Sequence, residues 1–361
     1  MTEQSIQKIE EALGLVQNKE SKIFFLTQDT KGTPKASITY IYEMVKTLNN
    51  LGYKAFILHE KNDYKLQGDA QGMGISDWLG EEYVELPHAS VESGELTVGP
   101  ADVLIVPELF GHVMEQTKDM TCTKIVLCQS YDYIFEMLPP GMDWMSYGYT
   151  KCITTSDETH NYVKSIFPNI ETYVIPVGIS ERFTKSDLPG KPIVGIHTRE
   201  PRDTAKIIKT FYAKFPQFKW ITFRDMRGMS LEEMSNAMKE LAAAVWVDDI
   251  SGFGTFPVEA MKSGVPVIAK IPNLKPNWLE EENGFWTYEF NQIPDVVNAF
   301  MKTWLEDSVP VELLSKMDEV VERYTLEQQN SETETVFEQL FKEKETELTN
   351  AINRFTETEN N

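Results

Sequence analysis

Short apolar runs alternate along this chain with longer segments whose apolar residues recur at helical spacing. The first run, Lys22–Gln28, is of the kind typical of a strand buried on both faces. A turn over 29–34 follows, and residues 36–52 then repeat apolar side chains at helical spacing and stop at Gly52. A further apolar run at 54–59 completes a β-α-β unit, which predicts parallel strands and a right-handed crossover.

The same alternation continues to the end of the chain. Further strands of a first half are predicted at 102–108, 124–129, 151–156 and 171–178. A polar segment rich in Pro and Gly, 179–192, indicates a connector between domains. Strands of a second half are predicted at 193–197, 219–223, 243–247 and 266–269. The pattern therefore predicts two α/β halves, each a doubly wound parallel sheet.

The length of 361 residues agrees with this division, because it exceeds one ordinary core and suits two domains of about 150 residues each. We expect an N-terminal Rossmann-like domain over 1–180 and a C-terminal Rossmann-like domain over 181–325. The periodic segment from Leu326 to Phe355 predicts one long packing helix within a final region, 326–361.

Composition narrows the class of protein. The formal net charge of -22 argues against nucleic acid as a partner and against electrostatic docking on an anionic membrane. The three cysteines, Cys122, Cys128 and Cys152, lack CxxC spacing and are typical of reduced thiols. The N-terminus lacks the basic and apolar regions of a signal peptide, and no apolar run approaches the ~20 residues that span a bilayer. We therefore expect a cytoplasmic protein without a transmembrane segment.

The stretch SGFGTFPVEAMKSGVPVIAK, residues 251–270, combines a glycine turn, a helix start, one acid and a strand. Gly252 and Gly254 let the backbone approach a ligand closely, and the helix start exposes unpaired N–H groups that suit a diphosphate. Glu259, just inside the helix, is placed to accept hydrogen bonds from the cis-diol of a ribose. A nucleotide diphosphate would use all these parts at once. The residues alone leave an alternative open, in which the glycines and Pro257 only begin and end a helix and bind no ligand.

The same stretch resembles the signature of family-4 retaining glycosyltransferases of the GT-B fold. That signature has a Glu, a spacer with a Gly-Phe-Gly-type turn, Glu-Ala-Met and a Gly-x-Pro-Val strand. The matching positions are Gly252, Phe253, Gly254, Pro257, Glu259, Ala260, Met261, Gly264, Pro266 and Val267. The segment VIPVGISERF, Val174–Phe183, is similar to the interdomain segment of the family. The resemblance covers nearly the whole chain and implies two facing Rossmann-like domains, with a final helix that crosses back to the first. It also implies that the first domain, 1–180, holds the acceptor and that the second, 181–325, holds the nucleotide-sugar donor.

One position departs from the family pattern. Ser251 stands where the family has the Glu that contacts hydroxyls of the donor sugar. A Ser carries no charge and reaches less far than a Glu. The departure therefore leaves open which sugar is bound and whether it is transferred. The resemblance implies donor binding by the turn residues Gly252, Phe253, Gly254 and Thr255, and ribose binding by Glu259.

Basic residues follow the first strand of the second half, where the family places an Arg and a Lys that neutralise the leaving diphosphate. The candidates are Arg199, Arg202 and Lys206. We favour Arg202 with Lys206, because residues four apart on a helix share a face. Arg199 remains open as a competitor, and solvated surface charge is the alternative for all three.

The first half contributes further candidates. Gly32 corresponds to a glycine-rich loop that lies near the donor phosphate and the acceptor in the family. His112 follows the strand at 102–108, at an edge where family members often have a His close to the transferred sugar, and Glu108 is a comparable candidate. A plain turn and a surface histidine are the alternatives.

Asp248 and Asp249 suggest a metal, but adjacent side chains leaving a strand point in different directions, and the GT-B architecture generally needs no metal. We therefore expect no metal and no cofactor beyond the donor. The resemblance implies a hexosyltransferase of glycan biosynthesis that moves a sugar from a nucleotide-diphosphate sugar to a hydroxyl acceptor with retention. The acceptor would be a glycan, a lipid-linked sugar or a protein side chain. A GT-B sugar-nucleotide epimerase and a degenerate transferase kept as a binding or scaffold module remain the alternatives.

Overall fold

The computed structural model describes residues 3–29, 32–70, 72–188 and 190–359. The chain forms two compact units. The first contains the described residues of Met1–Thr155, His160–Ile175 and Gln329–Asn361, and the second contains Ser156–Thr159 and those of Pro176–Gln328. Thr30 and Lys31, within the turn expected over 29–34, lie outside the described residues.

The first unit is built on a parallel sheet. Its strands are β1 (Lys22–Leu26), β2 (Lys54–His59), β3 (His88–Ser90), β4 (Val103–Pro107), β5 (Thr123–Cys128), β6 (Lys151–Thr154) and β7 (Glu171–Val174). Among the described residues they follow the order β3-β2-β1-β4-β5-β6-β7, and every neighbouring pair is parallel. This is the order of dinucleotide-binding doubly wound sheets, extended by one strand. All five residues of β4 are buried, as an apolar run covered on both faces requires.

The helices of this region flank that sheet. They are α1 (Glu3–Gln17), α2 (Ala36–Asn50), α3 (Ile75–Trp78), α4 (Gly111–Gln116), α5 (Tyr133–Met137) and α6 (Asp157–Ile166), with 3-10 turns at Glu81–Tyr83 and Met145–Tyr147. The helix α2 buries Ile41, Met44 and Leu48 completely or nearly so, because its apolar residues recur at helical spacing. The predicted helix after β1 is thereby confirmed.

The second unit has a smaller parallel sheet. Its strands are β8 (Ile193–Thr198), β9 (Thr222–Asp225), β10 (Ala243–Val247), β11 (Val267–Lys270) and β12 (Phe285–Thr287). The order among the described residues is β12-β11-β10-β8-β9. The strand β8 lies between β9 and β10. The chain runs from β8 to β9 on one side of it and then crosses to β10 on the other side, which is the flavodoxin-like arrangement. The topological switch point therefore lies between β8 and β10, where sheets of this kind bind their ligands.

The helices of the second unit are α7 (Pro201–Lys214), α8 (Leu231–Met238), α9 (Thr255–Lys262), α10 (Ile293–Leu305) and α11 (Val311–Arg323), with 3-10 turns at Pro216–Phe218 and Phe290–Gln292. Ser230 caps α8 in a reciprocal arrangement with Glu233, which fixes its start. None of the helices in the described parts of the chain has the length and apolar character that a membrane crossing requires.

The last helix, α12 (Leu326–Glu359), contributes to the first unit from Gln329 onward. The ring of Phe337 lies 6.1 Å from that of Phe25, and the ring of Phe341 stacks on Tyr53 at 5.3 Å. The Lys344 ammonium donates to the Asp102 carbonyl at 2.8 Å. Burial lowers the pKa of Lys344 to about 8. The predicted long terminal helix is confirmed, and its apolar face completes the core of the first unit.

Candidate functional site

The switch point of the second unit brings two charged residues together. Arg199 follows β8 and Asp248 follows β10, and the last residues of these strands, Thr198 and Val247, are partners in the ladder. The Arg199 guanidinium donates to both carboxylate oxygens of Asp248, with Nε–Oδ1 at 2.8 Å and Nη2–Oδ2 at 3.0 Å. A bidentate pair of this kind is geometrically specific as well as strong.

Asp248 also shapes the loop that leaves β10. Its Oδ1 accepts hydrogen bonds from the backbone N–H groups of Ile250 and Ser251, each at 3.1 Å. An Asp that binds the backbone a few residues ahead stabilises a turn. One carboxylate therefore orders the start of the glycine turn, residues 251–254, and holds Arg199 beside it.

Packing determines the conformation of the glycine turn. Gly254 has φ +77, and a Cβ at this position would lie 2.5 Å from the indole of Trp246. The ring of Phe253 lies 4.9 Å from that of Tyr324. The backbone carbonyl of Phe253 accepts a hydrogen bond from Nε1 of Trp278 at 2.8 Å. The Phe253 side chain thus belongs to the core, so its contribution to a ligand site is limited to its backbone.

The helix α9 begins at Thr255, directly after this turn, and Gly254 supplies no side-chain cap to its first N–H groups. Helix N-terminal N–H groups carry partial positive charge and suit an anion. Gly252 is buried, and the side chain of Ser251 is partly buried with no hydrogen bond within the described parts of the chain. Ser251 is therefore held here by its backbone alone.

Glu259 is a partly buried carboxylate on α9. Among the residues that the structure describes, its side chain has no hydrogen-bond or ion-pair partner. Burial raises the pKa of Glu259 to about 7. A partly buried carboxylate that has a raised pKa and no protein partner among the described residues is a candidate ligand contact.

His197 lies at the same switch point, although the sequence pattern did not single it out as a site residue. Its ring stacks on Phe256 of α9 at 4.9 Å, and its Nδ1 is buried with no partner among the described residues. Burial lowers the pKa of His197, while Asp248 opposes that effect. Its position next to the last residue of a switch-point strand is the signal that could have identified it.

Arg202 and Lys206 lie on the exposed surface of α7. The Lys206 ammonium pairs with Asp203 at 2.8 Å and lies 5.5 Å from the ring of Phe290. Within the described residues the Arg202 guanidinium has no ion pair, and neither residue hydrogen-bonds to the glycine turn. Of the three cations proposed from the sequence, Arg199 is the one that the structure links to the loop before the glycine turn, through its pair with Asp248.

The second of the two adjacent acids is also paired. Asp249 forms an ion pair with Lys270, at the end of β11. Across the described ranges, no group of three or more His, Cys, Asp or Glu side chains is arranged to hold a metal ion. The two carboxylates therefore face different cations, as adjacent side chains that point apart would.

The candidates of the first unit have different surroundings. Gly32, with φ +83, lines a cavity of about 280 Å³ at the carboxyl ends of β1 and β2. His112 is exposed on α4, where its Nε2 lies 3.0 Å from Oε1 of Glu60, and it does not line that cavity. Glu108 is buried, and its Oε1 accepts a hydrogen bond from the Ser130 N–H at 2.7 Å. Its Oε2 has no partner among the described residues. Burial raises the pKa of Glu108 to about 7.

No protein-family model matches the chain, and no curated protein matches its sequence. Solved structures do match over nearly its whole length. Sucrose-phosphate synthase from Thermosynechococcus elongatus matches with a TM-score of 0.61 and 14% identity, covering 89% of this chain and 99% of that chain. Anabaena HepE in complex with UDP matches with a TM-score of 0.62 and 12% identity, covering 88% of this chain and 100% of that chain.

A third match is the pneumococcal O-GlcNAc transferase GtfA in complex with UDP and GlcNAc, with a TM-score of 0.60 and 10% identity, covering 90% of this chain and 99% of that chain. These structures are GT-B glycosyltransferases. At such identities the similarity establishes the fold, so the α/β GT-B fold expected from the sequence is confirmed. The narrower assignment to family 4 stays a prediction.

Proposed function

We propose that this chain is a glycosyltransferase that moves a sugar from a nucleotide-diphosphate sugar to a hydroxyl acceptor with retention of configuration. Uridine is the base that we favour, because HepE and GtfA are each crystallised with UDP. The observation that carries the proposal is the carboxylate of Glu259, which has no partner among the described residues and lies just behind a glycine turn at the switch point of the second sheet.

Each part of this site has a role in the proposal. Glu259 accepts hydrogen bonds from the two hydroxyls of the ribose. Backbone N–H groups of the glycine turn and of Thr255 contact the diphosphate, whose negative charge the α9 N-terminus stabilises. The side chain of Ser251 contacts a hydroxyl of the donor sugar.

The three basic residues near this site have different roles in the proposal. Asp248 already neutralises Arg199, so Arg199 positions the loop more than it adds net charge. Arg202, in the first turn of α7, contributes charge that no described residue compensates, and Lys206 shares its charge with Asp203. Charge that develops on the leaving diphosphate is stabilised by these groups, after which the acceptor oxygen attacks from the same face. His112 and Gly32 remain proposed contacts of the first unit.

The first experiment measures UDP binding by calorimetry at pH 6 and pH 8. Because the pKa of the free Glu259 carboxyl is about 7 and the diol binds its ionised form, UDP should bind about tenfold more weakly at pH 6. Glu259→Gln should weaken binding at pH 8 and leave only the pH dependence that titration of the UDP phosphate itself causes. Glu312→Gln, at an exposed position of α11, is the matched control and should bind as the wild type does.

Thermal unfolding of the same variants shows whether Glu259→Gln folds. The folded-state pKa lies above the usual 4.5, so the ionised carboxyl destabilises the protein as the pH rises from about 4.5 through 7. The Gln variant should therefore be more stable than the wild type at pH 8, by up to about 3 kcal/mol. Equal UDP affinity in wild type and Gln variant at both pH values would contradict the proposal.

Turnover separates transfer from the alternatives. A transferase hydrolyses its sugar nucleotide slowly alone and faster with an acceptor, whereas an epimerase turns over without acceptor. Binding of UDP without turnover of any UDP-sugar would favour a scaffold, and Ser251→Glu then tests whether the missing motif carboxylate is the cause.

A further inference from the structure

The second unit contains a cavity at the end of its sheet that lies opposite the glycine turn. The cavity has a volume of about 170 Å³. Leu241 and Val265 line it just before β10 and β11 begin, whereas the glycine turn follows the carboxyl end of β10. Ser263, which follows α9, and Leu314 of α11 line it as well. We refer to it as the α9–α11 cavity, and it is separate from the candidate donor site.

The floor of the α9–α11 cavity is apolar. Four of its lining residues are at most 4% exposed, and they are Met238, Leu241, Val265 and Met317. Leu188 is 76% exposed and Leu314 is partly buried, so these two residues stand at the border. Apolar surface that faces water is unfavourable, so this lining favours an apolar occupant.

The hydroxyl groups of the lining already have partners. Oγ of Ser263 donates to the Glu259 carbonyl at 3.0 Å, and Oγ of Ser186 accepts from the Leu188 N–H at 3.1 Å. None of the described lining residues has a buried side-chain polar atom without a partner. The cavity therefore selects against a sugar or another polyol, whose hydroxyls would lose their hydrogen bonds to water.

The volume of the cavity sets the size of the occupant. An engineered cavity of about 150 Å³ with Leu, Ile and Phe walls binds benzene. A cavity of about 170 Å³ therefore holds an apolar group of about four to six carbons. Two of the walls are methionines, Met238 and Met317, whose flexible thioethers adapt to tails of slightly different shape.

The charges of the lining favour an anion at the border. Lys185, Lys239 and Asp318 are its charged residues within the described ranges. Lys185 pairs with Asp318 at 2.7 Å, whereas the Lys239 ammonium forms no ion pair in the part of the chain that the structure describes. The lining thus carries one more positive than negative charge, in a chain whose formal net charge is -22. Such a local excess attracts an anionic group from solution.

We propose that the α9–α11 cavity binds a small aliphatic carboxylate. The tail of about four to six carbons fills the apolar floor, and the carboxylate lies beside Lys239 at the border. This inference goes beyond the proposed transferase activity and does not depend on it, because the cavity shares no lining residue with the glycine turn or with Glu259.

The test uses ligand-observed NMR on the full chain with butanoate, pentanoate, hexanoate and octanoate. Affinity should rise up to about fourfold for each added methylene as far as hexanoate, and should then level off because the cavity is full. Hexanol has the same tail without the charge and should bind about threefold more weakly than hexanoate. Hexylamine, a cation near pH 7, should bind at least about fivefold more weakly.

Two lysine variants test the charge at the border. Lys239→Gln should remove the preference for hexanoate over hexanol, because the unpaired ammonium is lost while the apolar floor is kept. Lys219→Gln, at an exposed position of the same unit outside the lining, is the matched control and should keep the preference. A purely structural effect of the Lys239 substitution would weaken the acid and the alcohol alike.

A third variant tests the apolar floor. Leu314→Trp places a larger side chain at the border of the cavity and should weaken hexanoate and hexanol alike by at least about tenfold. The melting temperature should stay the same or rise, since filling a cavity is commonly stabilising. If this variant fails to fold, the chain-length series and the two lysine variants still decide the question.

The outcomes separate this site from the proposed function. Absence of binding by every carboxylate, equal affinities of hexanoate, hexanol and hexylamine, or full hexanoate affinity in a folded Leu314→Trp chain would overturn the assignment. An equal loss of preference in Lys219→Gln and Lys239→Gln would overturn it too. UDP affinity should agree within about twofold between the wild type and Leu314→Trp, so the carboxylate site and the donor site stand or fall independently.

Discussion

At the scale of the residue, the packing around Gly254 explains why this motif position is a glycine. Its φ of +77 disfavours any side chain, and the plane of the buried Trp246 ring occupies the place of a Cβ. From the sequence, this glycine is interpreted as the point where the backbone approaches a diphosphate. The packing explains the same residue without a ligand, so the glycine turn alone does not establish nucleotide binding.

Gly254→Ala should be strongly destabilising. The positive φ costs about 1 kcal/mol, and the contact with Trp246 adds about 1–3 kcal/mol, because the buried ring cannot move aside. Gly228→Ala is the control in the same unit, since Gly228 has φ +72 but no atom within 4 Å of the place that a Cβ would take. Urea unfolding of both variants measures the difference. Equal losses would mean that Trp246 yields and that only the backbone conformation matters.

The residues of the candidate site were predictable to different degrees. Glu259 and Gly254 belong to one local motif, so the sequence alone was enough to propose them as candidates. The link between Arg199 and Asp248 joins residues that are distant in sequence, and it follows only from the pairing of β8 with β10. His197 was undervalued for the same reason, because the order of the strands decides which strand ends lie at the switch point.

At the scale of the element, the loop from Asp248 to Gly254 depends on one carboxylate that serves two purposes. It accepts the N–H groups of Ile250 and Ser251, and it pairs with Arg199. An Asn side chain can still accept at one oxygen but carries no charge. The two purposes are therefore separable by substitution.

Asp248→Ala should weaken UDP binding about tenfold, because the loop before the glycine turn loses its hydrogen-bond acceptor. Asp248→Asn should stay within about threefold of the wild type, since the turn is kept and the Arg199 charge becomes available to the diphosphate. Calorimetric titration with UDP measures both. Similar losses in the Ala and Asn variants would show that the ion pair, and not the turn, supports binding.

The elements themselves followed closely from the pattern of apolar positions, except where they were short. The strands β3 and β12 have three residues each, too few for a periodic signal, and they were missed. The predicted strand that began at Lys22 extended to Gln28, whereas β1 ends at Leu26. Thr27 lies after the last residue of β1 and is still buried, so the extent of buried residues overestimates the length of this strand at its carboxyl end.

At the scale of the whole molecule, the first unit is assembled from both ends of the chain. Phe337 and Phe341 of α12 cover Phe25 and Tyr53, and Val336 and Leu340 beside them are also buried. Each such side chain contributes about 1.5–3 kcal/mol when fully buried. Their sum is comparable with the roughly 5–15 kcal/mol by which domains are typically stable.

A chain that ends at Thr325 should therefore lose the cooperative unfolding of its first unit. A control that ends at Arg354 keeps the residues of α12 that the structure describes as buried and should unfold as the full chain does. Scanning calorimetry follows the transitions, and binding of a hydrophobic dye reports the exposed core. Equal melting of the two truncated chains would show that α12 is dispensable for the first unit.

The discontinuity of the first unit also sets an order of assembly during synthesis. The second unit is almost entirely one continuous stretch, 176–328, and it is complete before most of α12 has left the ribosome. The usual sequence of events, in which the N-terminal domain matures first, is thereby reversed. The surface around Phe25 and Tyr53 is made early and stays uncovered until α12 emerges, so the nascent chain presents an apolar site for chaperones throughout that interval.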